Sequence, residues 1–193
     1  MSQAVITEPQ SVSEQTRQAV QESLFAVAHR NYEWQRSDVL CCIRDLGLVL
    51  CGVKPAALLA YPEQAEVAGL IEYAVANQLI TVDRDIVAAD PDKAHRTAEL
   101  WYGRSKPVTG PKLLGALFGY PRGCVDWFCA YRHFGSPRDW EPNERRFTLC
   151  RIPGEVAGMA EARSWARSLW RAFEAAYGAD AVALVPITGP GDC

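Results

Sequence analysis

Apolar side chains recur every three to four residues in several stretches of the chain, which is the spacing of an amphipathic helix. The clearest such stretch is 155–177, and Gly178 follows it in the position where many helices end. A capping sequence at 11–14 predicts the start of another helix, which ends near Asn31. Proline at or near a first helical position marks further helix starts. These starts lie at Pro62, Asp90-Pro91, Gly110-Pro111 and Pro121, the last helix running to about His133.

Short apolar runs rich in β-branched residues predict strands. The runs lie at 39–43, 46–51, 56–61, 80–82, 86–88, 147–152 and 181–185, and we expect 80–82 and 86–88 to form a hairpin. Helices and strands alternate without a regular strand–helix–strand rhythm, and no Gly-rich phosphate-binding sequence follows a strand. The pattern therefore predicts an α+β, or layered α/β, protein with a mixed sheet and about five or six helices.

The length of 193 residues, of which 49% are hydrophobic and 22% charged, is typical of one compact globular domain. We place this domain at 11–187, between a flexible arm at 1–10 and a flexible tail at 188–193. No apolar run reaches the roughly 18–20 residues that cross a bilayer, and the first residues lack the features of a secretory signal. The seven cysteines, an odd number, indicate reduced thiols. We therefore expect a cytoplasmic protein with no membrane partner.

The formal net charge of −3 conceals an uneven distribution. Residues 1–100 carry a net charge of −6, residues 101–151 of +5, and residues 152–193 of −2. Residues 101–151 are therefore a basic segment in an otherwise acidic chain, and the acidic remainder makes a nucleic-acid partner unlikely. Three arginines also lie opposite the apolar stripe of 155–177, where we expect a solvated face: Arg163, Arg167 and Arg171.

Chemically active side chains are most concentrated in residues 119–133. If a helix begins at Pro121, Cys124 lies in its first turn, where unpaired backbone amides and the helix dipole favour the thiolate. The neighbouring Gly123 leaves its backbone amide open to a developing oxyanion. Cys124 is therefore the candidate nucleophile, and the alternative is a buried cysteine that only packs.

A nucleophilic thiol needs a base. His133 lies nine residues beyond Cys124, about 13 Å away at the far end of the same helix. His95 is the better candidate, because Glu99 lies one helical turn later and can orient its imidazole. Asp126 is a further candidate catalytic group within the same segment.

A metal site is an alternative use of some of these side chains. Cys129 and His133 are four residues apart and share a helical face, and His95 with Glu99 would complete four ligands. The chain contains no pair of cysteines separated by two residues, the usual spacing of structural zinc ligands. No other cofactor is evident from the motifs.

Basic and aromatic residues alternate around the candidate nucleophile. Such residues suit a pocket for a small anionic molecule, since guanidinium groups bind carboxylates and aromatic rings form apolar walls. The same side chains can contact RNA phosphates and bases, or an acidic protein. The candidate substrate-binding residues are Arg122, Arg104, Lys106, Tyr120 and Trp127.

The segment 117–128 reads Leu-Phe-Gly-Tyr-Pro-Arg-Gly-Cys-Val-Asp-Trp-Phe. It resembles the Gly-Tyr-Pro-x-Cys-Cys-Val motif of an uncharacterised prokaryotic family. The matching residues are Gly119, Tyr120, Pro121, Cys124 and Val125, and Gly123 stands where the motif has its first cysteine. The resemblance covers a dozen residues and implies no particular activity.

The sequence thus favours a small cytoplasmic enzyme that acts on an anionic organic substrate, in a role typical of specialised metabolism. A cysteine-dependent transferase, hydrolase or cyclase would use Cys124 for acyl or thioester transfer, cyclisation or isomerisation. One alternative is a non-catalytic module whose basic segment 101–151 binds an acidic protein or RNA. Another is a metal-dependent enzyme with His, Cys and Glu ligands. A homo-oligomer is compatible with each.

Overall fold

The computed structural model describes residues 11–30, 35–82, 85–102, 110–130, 135, 137–148 and 153–187. The predicted arm at 1–10 and tail at 188–193 lie outside the described residues. In the described part, no helix is long and apolar enough to cross a membrane. Its elements are α1 (Glu14–His29), α2 (Arg36–Leu50), β1 (Ala56–Leu58), α3 (Ala65–Ala76), β2 (Ile80–Val82), β3 (Ile86–Ala88), α4 (Pro91–Tyr102), α5 (Gly110–Leu117), α6 (Arg122–Cys129), α7 (Pro142–Arg146), α8 (Val156–Tyr177) and α9 (Ala179–Leu184).

The sheet is small and lies beside the helices. Its strand order is β1-β3-β2, and both pairings are antiparallel, so that Ala56 and Ile80 each face Ala88 of the central strand. The predicted hairpin of 80–82 and 86–88 is confirmed. The predicted combination of helices with a separate sheet, the α+β class, is also confirmed. Among the described residues, however, the sheet is antiparallel rather than mixed, and there are nine helices rather than five or six.

Three of the predicted strand regions are helical. Residues 39–43 and 46–51 fall mainly within α2, and 181–185 falls mainly within α9. The strand prediction was wrong at α2 because nearly every residue from Val39 to Val49 is buried. A helix that is buried on all sides has no polar face, so its sequence lacks helical periodicity and resembles a buried strand. The predicted strand at 147–152 is not seen at 147–148, and 149–152 lie outside the described residues.

Capping residues predicted the starts of α1 and α4 and the end of α8 correctly. The Ser13 side chain accepts a hydrogen bond from the Thr16 amide at 3.1 Å and caps α1. Asp90 caps α4 in the same way, accepting from the Asp92 amide at 2.9 Å. Helix α8 ends at Gly178, whose φ of 88° is one that glycine adopts without strain. Helix α3 begins at Ala65 rather than at Pro62.

The main apolar core forms where α2 packs against α1, α3 and α8. Gly47 allows the close approach of α8, because a Cβ at this position would lie 2.9 Å from a ring carbon of Phe173. The Tyr177 hydroxyl donates a hydrogen bond to the Gly47 carbonyl at 2.8 Å. The apolar stripe predicted on α8 is buried from Ala162 onwards, whereas Val156 at its start is 86% exposed.

Helices α5 and α6 are joined by the four residues 118–121. Gly119 has a φ of 73°, and its amide donates to the Ala116 carbonyl while the Tyr120 amide donates to the Gly115 carbonyl at 2.8 Å. These two bonds satisfy the last carbonyls of α5 in the Schellman arrangement. The pair of helices crosses closely, because a Cβ on Gly115 would overlap the Val125 side chain. We call residues 110–129 the α5–α6 unit.

Candidate functional site

Cys124 is the third residue of α6 and is only 2% exposed. It packs in a small apolar cluster with Trp140 and with Ala162 and Ala166 of α8. The Gly123 amide, the expected oxyanion donor, donates instead to a carboxylate oxygen of Glu161 at 3.2 Å. The helix start is therefore as expected, but the thiol is covered. The nucleophilic role of Cys124 stays a prediction that this geometry does not support.

The predicted base and its orienting carboxylate lie on the surface. His95 and Glu99 are both exposed on α4, and Glu99 pairs with Arg96 at 3.0 Å. Helix α4 packs against α5 and the sheet, whereas α6 packs against α5 and α8. No described hydrogen bond joins His95 to Cys124, so the structure does not assemble the predicted pair.

Asp126 is the centre of an exposed ion cluster on the α5–α6 unit. Its carboxylate lies 3.1 Å from the Lys112 ammonium and 3.5 Å from Nε of Arg122. The hydrogen bond from Lys112 and the charges of both cations outweigh partial desolvation and hold the pKa of Asp126 below its usual range. Exposed pairs of this kind are worth about 0–1 kcal/mol, so Lys112 and Arg122 can exchange Asp126 for another anion.

Several predicted residues cannot be placed near this cluster. Arg104, Lys106 and His133 lie outside the described residues. Trp127 and Cys129 are half-buried on α6. Within the described part of the chain, no three His, Cys, Asp or Glu side chains are grouped as metal ligands would be.

A second ion cluster, which the sequence did not predict, lies inside the protein. Arg44 and Lys54 are 1% and 2% exposed, and both bind the carboxylate of Asp45, which is 16% exposed. Arg44 Nε donates to one oxygen at 2.8 Å, and Lys54 Nζ donates to the other at 3.1 Å. The Lys54 ammonium also lies 5.8 Å and 5.6 Å from the ring centroids of Phe118 and Tyr120. We call these five residues the buried ion cluster.

The carboxylate of Asp45 is the acceptor that both cations of the buried ion cluster share. Burial alone would raise the pKa of Asp45, but the charges and hydrogen bonds of Arg44 and Lys54 outweigh it and hold that pKa below its usual range. The carboxylate is therefore ionised near neutral pH and pairs with both cations. The aromatic faces of Phe118 and Tyr120 also stabilise the Lys54 ammonium.

Of the predicted substrate-binding residues within the described part of the chain, only Tyr120 lies in the buried ion cluster. Its ring packs edge-on against Trp165 of α8, with centroids 5.6 Å apart. The turn 118–121 therefore covers Lys54 with two aromatic rings. A sequence signal did exist, because Arg44-Asp45 interrupts an otherwise apolar run. As a local pattern it predicts a break between the strands 39–43 and 46–51, whereas in a buried helix a charged pair must lie inside the protein.

Arg163 and Arg167 do not belong to a solvated face, so that prediction was wrong for both. They bind Glu144 of α7, which is completely buried: Arg163 Nε and Arg167 Nε each donate to a carboxylate oxygen at 2.8 Å. Burial opposes ionisation of Glu144, but the hydrogen bonds from both arginines outweigh it and lower its pKa. Arg163 also lies over the ring of Trp140, so this carboxylate fixes the segment that covers Cys124. Arg171 is exposed, as expected.

The chain matches no protein-family model, no curated protein and no solved structure.

Proposed function

We propose that the protein binds a small anionic organic molecule at the buried ion cluster. The observation that carries this proposal is that the Lys54 ammonium is only 2% exposed, shares the Asp45 carboxylate with Arg44 and is flanked by two aromatic rings. A buried ammonium is costly unless its charge and its N–H donors are compensated, because the interior solvates it far less well than water does. An anion bound beside Lys54 would supply a further acceptor and a further negative charge.

Lys54 is the anchor that we assign to this anion. An ammonium has three donors, and among the described residues that of Lys54 uses one, towards Asp45. Lys54 thus has the anion-binding role that the sequence predicts for Arg104 and Lys106. Asp45 is the most exposed of the three charged groups, so we propose that the ligand enters the buried ion cluster from the side of Asp45.

The aromatic rings of the turn 118–121 define the rest of the ligand. The ring centroids of Phe118 and Tyr120 lie 5.8 Å apart, and both rings are next to the Lys54 ammonium. Small-molecule sites combine such apolar walls with a few polar groups that fix orientation. We therefore propose a carboxylate or phosphate attached to an apolar, preferably aromatic, group. Chemistry on this molecule is a separate hypothesis, for which Cys124 remains the candidate from the sequence.

Thermal unfolding of the full chain tests the proposal with four probes: benzoate, phenyl phosphate, acetate and inorganic phosphate. A ligand that binds only the folded state at about 100 times its Kd adds about 2.7 kcal/mol of stability. For a protein of this size, that raises Tm by about 5–11 °C. We expect benzoate or phenyl phosphate to give a saturable increase, and acetate and inorganic phosphate to give less.

Lys54→Met should abolish this increase, and Lys93→Met, at an exposed lysine of α4, should leave it unchanged. Because removal of one partner from a buried ion pair is destabilising, Lys54→Arg is measured as well and should retain binding of the probe. The proposal fails if no probe stabilises the wild type. It also fails if a probe stabilises Lys54→Met and the wild type equally.

A further inference from the structure

The α5–α6 unit has the construction of a helix–turn–helix. Two eight-residue helices are joined by four residues, and Gly119 in the turn has a φ of 73°. The absence of a side chain at Gly115 lets Val125 of the second helix pack directly on the first. In DNA-binding proteins, two helices joined by a turn of three or four residues, often with glycine, place the second helix in the major groove.

Helix α6 is free to act as such a second helix. Among its residues only Cys124 is buried, and this residue faces α8. Arg122 is 80% exposed and Asp126 about half exposed, and they lie one turn apart on the same face. Arg122 is the first and Asp126 the fifth of the eight residues of the helix, and the N-terminal residues of the second helix contact base edges in helix–turn–helix proteins.

We propose that the α5–α6 unit binds double-stranded DNA, with α6 in the major groove. Arg122 is placed to donate two hydrogen bonds to O6 and N7 of a guanine, and Asp126 to accept one from N4 of a cytosine. The present pairing of these two side chains is exposed and weak, so base edges can replace it. Lys112, which now binds Asp126, is then available for a phosphate.

The charge distribution sets the kind of binding to expect. The basic segment 101–151, with a net charge of +5, contains the whole unit, whereas residues 1–100 carry −6 and repel phosphate. Non-specific affinity should therefore be low, and binding should depend on sequence. The Gly123 amide is already bound to Glu161, so phosphate contacts fall to side chains rather than to the start of α6.

Duplex DNA fits this unit better than RNA, the nucleic acid considered from the sequence. The major groove of B-form DNA is about 12 Å wide and admits a helix, whereas that of A-form RNA is too narrow for side chains to read. Net charge alone does not distinguish DNA from RNA, whereas the shape of the α5–α6 unit favours duplex DNA. The DNA contacts proposed for α6 use none of the residues of the anion site, although the turn of the same unit carries Phe118 and Tyr120 of that site.

The test is a selection of binding sites by the full-length chain from a pool of random duplexes. Affinity for the selected duplex is then measured by fluorescence anisotropy at several salt concentrations. We expect enrichment of a short site that contains G·C pairs. Binding should weaken moderately with salt, because few phosphate contacts are proposed, and the RNA duplex of the same sequence should bind at least tenfold more weakly.

Variants of exposed residues separate base reading from general electrostatics. Arg122→Ala should weaken binding by roughly 5- to 150-fold and relax the preference for guanine at one position. Asp126→Ala should relax the preference for cytosine at a neighbouring position. Arg138→Ala removes the same charge from an exposed site outside the unit and should change affinity less than twofold. Far-UV circular dichroism confirms that each variant is folded.

Three results would overturn the proposal. The first is a selection that enriches no sequence together with no binding to duplex DNA at low salt. The second is equal binding of the DNA and RNA duplexes, which would indicate recognition of phosphate alone. The third is an equal effect of Arg122→Ala and Arg138→Ala, which would assign the interaction to net charge rather than to α6.

Discussion

Replacement of Gly115 by alanine tests the close crossing of α5 and α6. In an open helical position, Gly→Ala stabilises a protein by about 1 kcal/mol, because glycine loses more backbone entropy on folding. At Gly115, however, the new Cβ would overlap one methyl of Val125 and lie 3.0 Å from the other. Val125 is β-branched and cannot rotate away easily. Overpacking of this kind costs about 1–3 kcal/mol, so we expect a net loss of about 0–2 kcal/mol.

Gly69 provides the matched control, because it lies within α3 and a Cβ there would meet no atom within 4 Å. Gly69→Ala should therefore raise the free energy of unfolding by about 1 kcal/mol and Tm by about 2–4 °C. Urea denaturation measures both variants under the same conditions. The double variant Gly115→Ala/Val125→Ala should be more stable than the sum of its single changes predicts, since it removes the overlap. Equal stabilisation by Gly115→Ala and Gly69→Ala would refute the close crossing.

Two further predictions concern the Glu144 carboxylate and the cysteine thiols. Glu144→Gln should cost about 1.5–3 kcal/mol near pH 7, because hydrogen bonds to a charged partner are lost. Since the pKa of Glu144 is lowered on folding, its contribution is complete above about pH 4.3 and declines as the pH falls through the lower folded value. The difference in Tm between the two proteins should therefore shrink below that pH, and a constant difference would contradict the assignment. With iodoacetamide near pH 7, half-buried Cys129 should react before buried Cys124 and before Cys51, whose pKa is raised by burial to about 11. Mass spectrometry of the labelled peptides gives the order, and early labelling of Cys124 would show that its cover opens.

The parts of the fold that the sequence predicted correctly depend on short-range interactions. Ser13 and Asp90 cap their helices through hydrogen bonds that span two or three residues. Gly178 ends α8 because of its own backbone freedom. The hairpin of β2 and β3 joins neighbouring segments. Each of these features is decided within about ten residues, so a local pattern is enough to predict it.

The prediction of α2 as two strands shows where local pattern is insufficient. The apolar run from Val39 to Leu50 is compatible with a strand or a helix, and the choice depends on what surrounds it. Because α1, α3 and α8 enclose this run, both halves form one buried helix. The same enclosure turns Arg44-Asp45 from an apparent break into part of an internal ion cluster.

The candidate sites also combine features that the local sequence predicts with features that depend on helix packing. The sequence by itself determined the basic segment, the start of α6 at Pro121 and the place of Cys124 in its first turn. Only the tertiary structure decided that Trp140 and α8 cover the thiol and that Tyr120 lies over Lys54. Burial and charge pairing in these places arise between residues 16 to 66 positions apart in the chain. Long-range contacts of this kind leave no periodic trace in a sequence, because each depends on how whole helices pack.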